Sequence, residues 1–153
     1  MQNLKNLFKK PLRPLPNSIA IFLLIVALVG FVDASYLTIE HFRGIIPPCS
    51  ITSGCEQVLT SSYSQIFGIP VSLTGAIFYL LVLVGAFSYL ESKKTKFLKW
   101  TLILTIPAFL SSLWFVYIQV FTLYSYCIYC LGSFLTSTIL FVTAMETFWK
   151  YQE

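Results

Sequence analysis

The sequence predicts an all-α membrane protein, a four-transmembrane-helix bundle with both termini cytoplasmic and an outward loop carrying a cysteine pair. Three observations predict it. The 153-residue chain is 57% hydrophobic and only 10% charged, where a soluble domain carries about 25% charged residues, and its mean hydropathy is +0.79. Charge is absent from residues 57–90 and again from residues 100–145, and a spanning helix needs about 20 mostly apolar residues. The basic residues alternate between connections: nine (Lys5, Lys9, Lys10, Arg13, Lys93, Lys94, Lys96, Lys99 and Lys150) fall in the tails and the second connection. Arg43 alone falls in the first, and none falls in the third. Basic residues stay on the cytoplasmic side, so the first and third connections face outward.

Each element follows from local chemistry. Residues 1–17 form a cytoplasmic tail in which Pro11, Pro14 and Pro16 hold the chain extended. The first span is expected over residues 18–39. Its basic flank, apolar run 19–32 and Val32-Asp33-Ala34 triplet also resemble a signal peptide, but cleavage there would leave the later loops on the same side. Asp33, ionisable and near the outer end of this span, is a candidate for proton transfer; the plainer reading is a solvated interfacial carboxylate. His41, the single histidine, reads as an interfacial residue. Pro47 and Pro48 stiffen the approach to Cys49. Gly68-Ile69-Pro70 closes the loop, and Pro70 suits the first turn of a second span over residues 70–90. A third span covers residues 98–120, with Pro107 expected to kink it. The connection 121–126 is short, so the third and fourth helices should be antiparallel neighbours. Its tyrosines, with Trp100 and Trp149, fit an aromatic belt. The fourth span covers residues 127–147, and residues 148–153 form a short cytoplasmic tail. Residues 18–147 thus make one membrane domain, in which Gly30, Gly75, Gly85 and Ala86 permit close helix approach.

Four cysteines carry the chemistry. Cys127 and Cys130 stand as C-I-Y-C where the last helix enters the membrane. Residues three apart share a helix face, and the first turn offers free N–H groups and the positive end of the helix dipole. A thiolate is stabilised there. The plainer reading is a pair of buried apolar cysteines. Cys49 and Cys55 flank Ser50-Ile51-Thr52-Ser53-Gly54, small and polar enough to bend the sulfurs together; alone, they would read as a structural disulfide. Both pairs lie on one membrane face, and thiol–disulfide exchange requires contact. A four-thiolate metal site lacks second-shell histidine support, so no metal is expected. The net charge of +4 follows from the tail and loop lysines, without a nucleic-acid-binding motif, so no nucleic-acid partner is expected.

The segments C-S-I-T-S-G-C-E-Q-V-L-T-S-S, F-G-I-P-V-S-L-T-G-A-I-F-Y-L-L and C-I-Y-C, in this order and spacing, resemble the vitamin K epoxide reductase family in its bacterial branch. The resemblance implies a four-helix bundle around a quinone, ubiquinone or menaquinone, which acts as electron acceptor. By position, Cys49 would exchange with a thiol partner, Cys55 would pass electrons to Cys127, and Cys130 would face the quinone. Ser72 matches a Ser/Thr position near the quinone. In the animal branch an Asn and a Tyr bind the quinone or epoxide oxygens; the matching positions here are Val71 and Phe134, which lack polar groups. A pocket without those donors polarises an epoxide poorly, so the expected acceptor is a respiratory quinone.

The implied activity is that of a quinone-dependent disulfide oxidoreductase supporting disulfide bond formation. Many bacterial relatives carry a fused thioredoxin-like domain; this chain ends at Glu153, so the expected partner is a separate DsbA-like or thioredoxin-like protein. With no ER-retention ending at Tyr151-Gln152-Glu153, the expected setting is a bacterial plasma membrane and its lipid. A DsbB-type oxidase would place the C-x-x-C in the first outer loop, which this order does not. A non-catalytic tetraspan scaffold with structural disulfides is the alternative.

Overall fold

The computed structural model describes residues 13–49 and 54–151. The expected features at Lys5, Lys9, Lys10, Pro11 and loop residues 50–53 lie outside them. Four long helices dominate: α1 (Asn17–Arg43), α3 (Val71–Ser92), α4 (Thr95–Phe121) and α5 (Ile128–Tyr151). All four are long and apolar enough to cross a membrane, and even the 22 residues of α3 reach about 33 Å. A helix satisfies its own backbone groups, as lipid requires.

The helices outrun the apolar segments that predicted them. Apolar residues mark the part buried in hydrocarbon, whereas backbone hydrogen bonding continues until a cap stops it. Gly44 stops α1 at φ 68°, with Gly44 N–H donating to the His41 carbonyl at 3.1 Å and Ile45 N–H to the Glu40 carbonyl at 3.0 Å. This is a glycine-terminated Schellman arrangement. α3 ends at Lys93, which is also left-handed. Pro70 is not in the helix's first turn, as the sequence suggested, but is its extended N-cap. There it also closes a two-strand hairpin.

Each long helix borders two others: α1 packs against α3 and α5, and α4 against the same two. The seam explains itself in small residues. On α1, Ala20, Leu23, Ala27, Gly30 and Ala34 are buried at steps of three and four; on α3, Ala76, Tyr79, Val82, Ala86 and Tyr89 do the same. A β-carbon at Gly30 would run into the Tyr79 ring, and one at Gly85 into the Thr101 hydroxyl of α4. Gly75 differs, since its β-carbon would only touch that of Ala34 at 3.7 Å. The outward faces keep Ile25, Val29 and Val32 of α1 and Leu113 and Trp114 of α4 exposed, as lipid contact demands.

The two ends of the bundle differ. At the lysine-bearing end, the buried Tyr89 hydroxyl receives the Leu15 N–H at 2.7 Å and donates to the Leu15 carbonyl at 2.8 Å. Arg13 N–H donates to the Tyr151 carbonyl at 2.9 Å. The cysteine-bearing end carries a cap not foreseen from sequence. It comprises a short helix α2 (Cys55–Leu59), a 3-10 turn (Ser62–Ser64), and strands β1 (Gln65–Ile66) and β2 (Ile69–Pro70). The strands are antiparallel, with Gln65 opposite Pro70 and Ile66 opposite Ile69. Phe67 and Gly68 turn between them at φ 52° and 79°, the two positive values a type I′ turn requires.

Candidate functional site

The cap brings both cysteine pairs together. Cys49 and Cys55 are disulfide-bonded, with Cα atoms 6.0 Å apart, while Cys127 and Cys130 are free thiols. Cys55, 1% exposed, and Cys127, fully buried, form one apolar cluster with Val58, and Cys49 and Cys130 pack against it.

Two surfaces hold Cys55 over Cys127. Gly54, the N-cap of α2, lies so close to the third connection that a β-carbon would sit 2.7 Å from Tyr126 N and 2.9 Å from Ser125 Cβ. No side chain fits there, which is why glycine precedes Cys55. On the next residues of α2, Gln57 Oε1 accepts a hydrogen bond from the Ser125 hydroxyl. On the other flank, the Tyr129 hydroxyl donates to the Pro48 carbonyl at 3.2 Å, and the Tyr129 ring lies 5.7 Å from that of Tyr36. The residue before Cys49 is thereby tied to the C-I-Y-C turn.

Cys127 stands one residue ahead of α5 and opens it: its carbonyl accepts the Leu131 N–H at 3.0 Å. Its own N–H donates to Gln119 Oε1 of α4 at 2.9 Å. The hydrogen bond from the Cys130 thiol holds the Cys127 thiol below its usual range, at about 7; the N–H groups of Cys130 and Tyr129 act in the same sense, and burial opposes them. These are the unpaired donors of a helix start.

Below the cap lies a cavity of about 910 Å³. Cys130, Ser133 and Ser137 of α5 line it, as do Val71, Ser72 and Tyr79 of α3 and Gln119 of α4. Its size lies within the roughly 300–1,000 Å³ of small-molecule pockets, and walls largely apolar with a few polar groups are what such sites use. A quinone headgroup suits that lining: a flat apolar ring with two acceptor oxygens, beside a thiol. Of the three residues expected near the quinone, the structure places Val71 and Ser72 on the cavity wall. Ser72 Oγ lies 3.0 Å from the Thr38 hydroxyl. Phe134 is not among the lining residues; its ring stacks on Phe109 of α4, centroids 6.4 Å apart. The lining residues of α5 are 130, 133 and 137, and residue 134 stands at the edge of that face, about 40° round the helix from 130.

Asp33 reaches the same region from α1. Its carboxylate hydrogen-bonds Ser133, and its Oδ2 is buried without a partner among the described residues. Tyr79 hydrogen-bonds the Ser133 carbonyl at 3.0 Å and the Thr136 hydroxyl at 2.6 Å. Among the described residues no three His, Cys, Asp or Glu side chains gather as a metal ion would require. Sequence reasoning missed Gly54, Gln57, Tyr79 and Gln119. Only Gln119 left a signal, as the one amide side chain in residues 100–145.

Compared with known proteins, residues 21–145 match the model of the vitamin K epoxide reductase family. The search of curated proteins returned no match.

Proposed function

The chain belongs to the vitamin K epoxide reductase family, whose members are membrane disulfide oxidoreductases, and from that premise we propose a quinone-linked oxidase of thioredoxin-fold dithiols on the outer face of a bacterial plasma membrane. One observation carries the reading: Cys55 and Cys127 share a buried cluster, and Cys130, one turn on, lines the cavity. The two cysteine pairs and the acceptor space are therefore contiguous.

The bonds exchange in sequence. A thiolate of the reduced partner attacks the Cys49–Cys55 disulfide at Cys49 and frees Cys55. The partner's second thiol displaces Cys49, so the partner leaves oxidised. Cys55 attacks Cys127 of an oxidised Cys127–Cys130 pair and releases Cys130. Cys49 then attacks Cys55, which restores the loop disulfide and frees Cys127. The low pKa of Cys127 makes it a good leaving thiolate. The result is a loop disulfide beside a reduced C-I-Y-C pair. A quinone in the cavity supplies the oxidising capacity, taking two electrons and two protons as the Cys127–Cys130 disulfide re-forms. Net, one partner dithiol and one quinone give one disulfide and one quinol. Asp33, bonded to cavity-lining Ser133, is our candidate for relaying the protons. The Val71 side chain brings no hydrogen-bond donor to its part of the cavity wall, where the animal branch carries a polar group, and this difference favours a respiratory quinone over an epoxide.

The test is anaerobic quinone reduction by purified protein with a reduced thioredoxin-fold donor. Wild-type turnover that disappears in Cys130→Ala is the expected result. Turnover that survives it removes Cys130 from the path, and a folded wild type inactive with several donors and quinones supports the scaffold reading. In the same assay Asp33→Asn should slow turnover in a pH-dependent way; an unchanged profile removes the proton route.

A further inference from the structure

Most polar groups bordering the cavity are already engaged within the protein. Tyr79 is held by the Ser133 carbonyl and Thr136. The Ser137 hydroxyl has the Phe134 carbonyl and Ser112 within 3.0 Å. The Ser111 hydroxyl donates to the Pro107 carbonyl at 2.8 Å, and Ser72 meets Thr38. Gln119 differs. It is 2% exposed and lines the cavity with Cys130, and its Nε2 is buried without a partner among the described residues.

The orientation of this amide is fixed by chemistry. Oxygen and nitrogen of a glutamine are normally interchangeable by a flip. Here the neighbouring group is the Cys127 N–H, a donor, at 2.9 Å, so only the oxygen can face it. The NH₂ group must then be the unpaired end. A buried amide donor is rarely left unpaired without a reason, and this one belongs to a residue that holds the redox turn and borders the cavity.

We infer that Gln119 is a quinone-binding and positioning residue: its oxygen anchors the C-I-Y-C turn through the Cys127 N–H, and its NH₂ donates a hydrogen bond to a carbonyl oxygen of the acceptor. The inference rests on the quinone reading above and deepens it. One side chain registers the acceptor against the helix start that presents Cys130. A quinone carbonyl gains negative charge as it is reduced, so a fixed donor there strengthens with reaction.

Binding, rather than turnover, tests this. Oxidised protein in lipid nanodiscs, with no thiol donor, is titrated with 2,3-dimethyl-1,4-naphthoquinone and with 2,3-dimethylnaphthalene, which keeps the ring shape but lacks the carbonyls. Wild type should prefer the quinone. Gln119→Met should lose roughly tenfold in quinone affinity, the scale of one hydrogen bond, with hydrocarbon affinity unchanged. Equal loss of both ligands, or loss of neither, overturns the inference. Should Gln119→Met fail to fold, infrared spectra of the carbonyl-labelled quinone on wild type still decide: one carbonyl stretch should move to lower frequency, and two unshifted carbonyls overturn the inference. If wild type binds the hydrocarbon but excludes the quinone, the quinone reading itself fails and the inference falls with it.

Discussion

Cys127 and Cys130 are three residues apart, yet a helix start treats them differently. Cys127 precedes the helix, where its sulfur receives the Cys130 thiol hydrogen bond and the N–H groups of Tyr129 and Cys130. Cys130 lies within the first turn and borders the cavity. The thiolate of Cys127 should therefore form as pH rises through about 7, rather than in the usual thiol range near 8.5. Ultraviolet thiolate absorbance of the reduced protein against a Cys127→Ala control would show it. In Cys130→Ala, which removes the largest cause, the Cys127 midpoint should move upward; an unmoved midpoint would assign the depression to the helix start alone. At this scale the four cysteines were legible, because sulfur is rare in the chain and their spacing is itself the signal. Phe134 was less legible, since it does not line the cavity. Four residues after Cys130 it shares a helical side with it, but neighbouring Phe109 decides which way that edge faces.

Among the elements, the four spans follow from apolar runs, since a lipid-crossing helix needs no partner to satisfy its backbone. The cap is the opposite case. α2 has only five residues, too short to be stable alone, and depends on contacts distant in sequence. Gln57 and Ser125, 68 residues apart, and Gly54 beneath Tyr126 hold it where Cys55 meets Cys127. Gly54→Val should lift α2 from that seat. In a Cys49→Ala, Cys130→Ala background, which leaves Cys55 and Cys127 to pair, it should slow formation of the Cys55–Cys127 disulfide by about 100-fold, the scale of an ångström-sized misplacement. Mass spectrometry of the oxidised protein would follow it, and an undiminished rate would mean that Gly54 does not set the approach.

For the whole molecule, one end of the bundle gathers the cysteines and the other the lysines of the second connection. The bundle topology places Ser62 at the first end and Lys96 at the second. With basic residues retained in the cytoplasm, a cysteine at position 62 should react with a membrane-impermeant maleimide on intact cells, and one at position 96 only after permeabilisation. Both are read in a background without the native cysteines. The reverse pattern would invert the proposed orientation and put both redox pairs in the cytoplasm.

By itself the sequence determined the class of molecule, the number of spans, the alternation of basic connections and the two cysteine pairs. These depend on local composition: apolar length against bilayer thickness, and charge against translocation. Tertiary structure decided what those pairs can reach. Burial of Cys55 against Cys127, the cavity beside Cys130, the stacking of Phe134 on Phe109 and the spare amide of Gln119 all arise where segments far apart in the chain pack together. Packing depends on which faces meet, and near-uniformly apolar helices leave few marks in the sequence to say which faces those are.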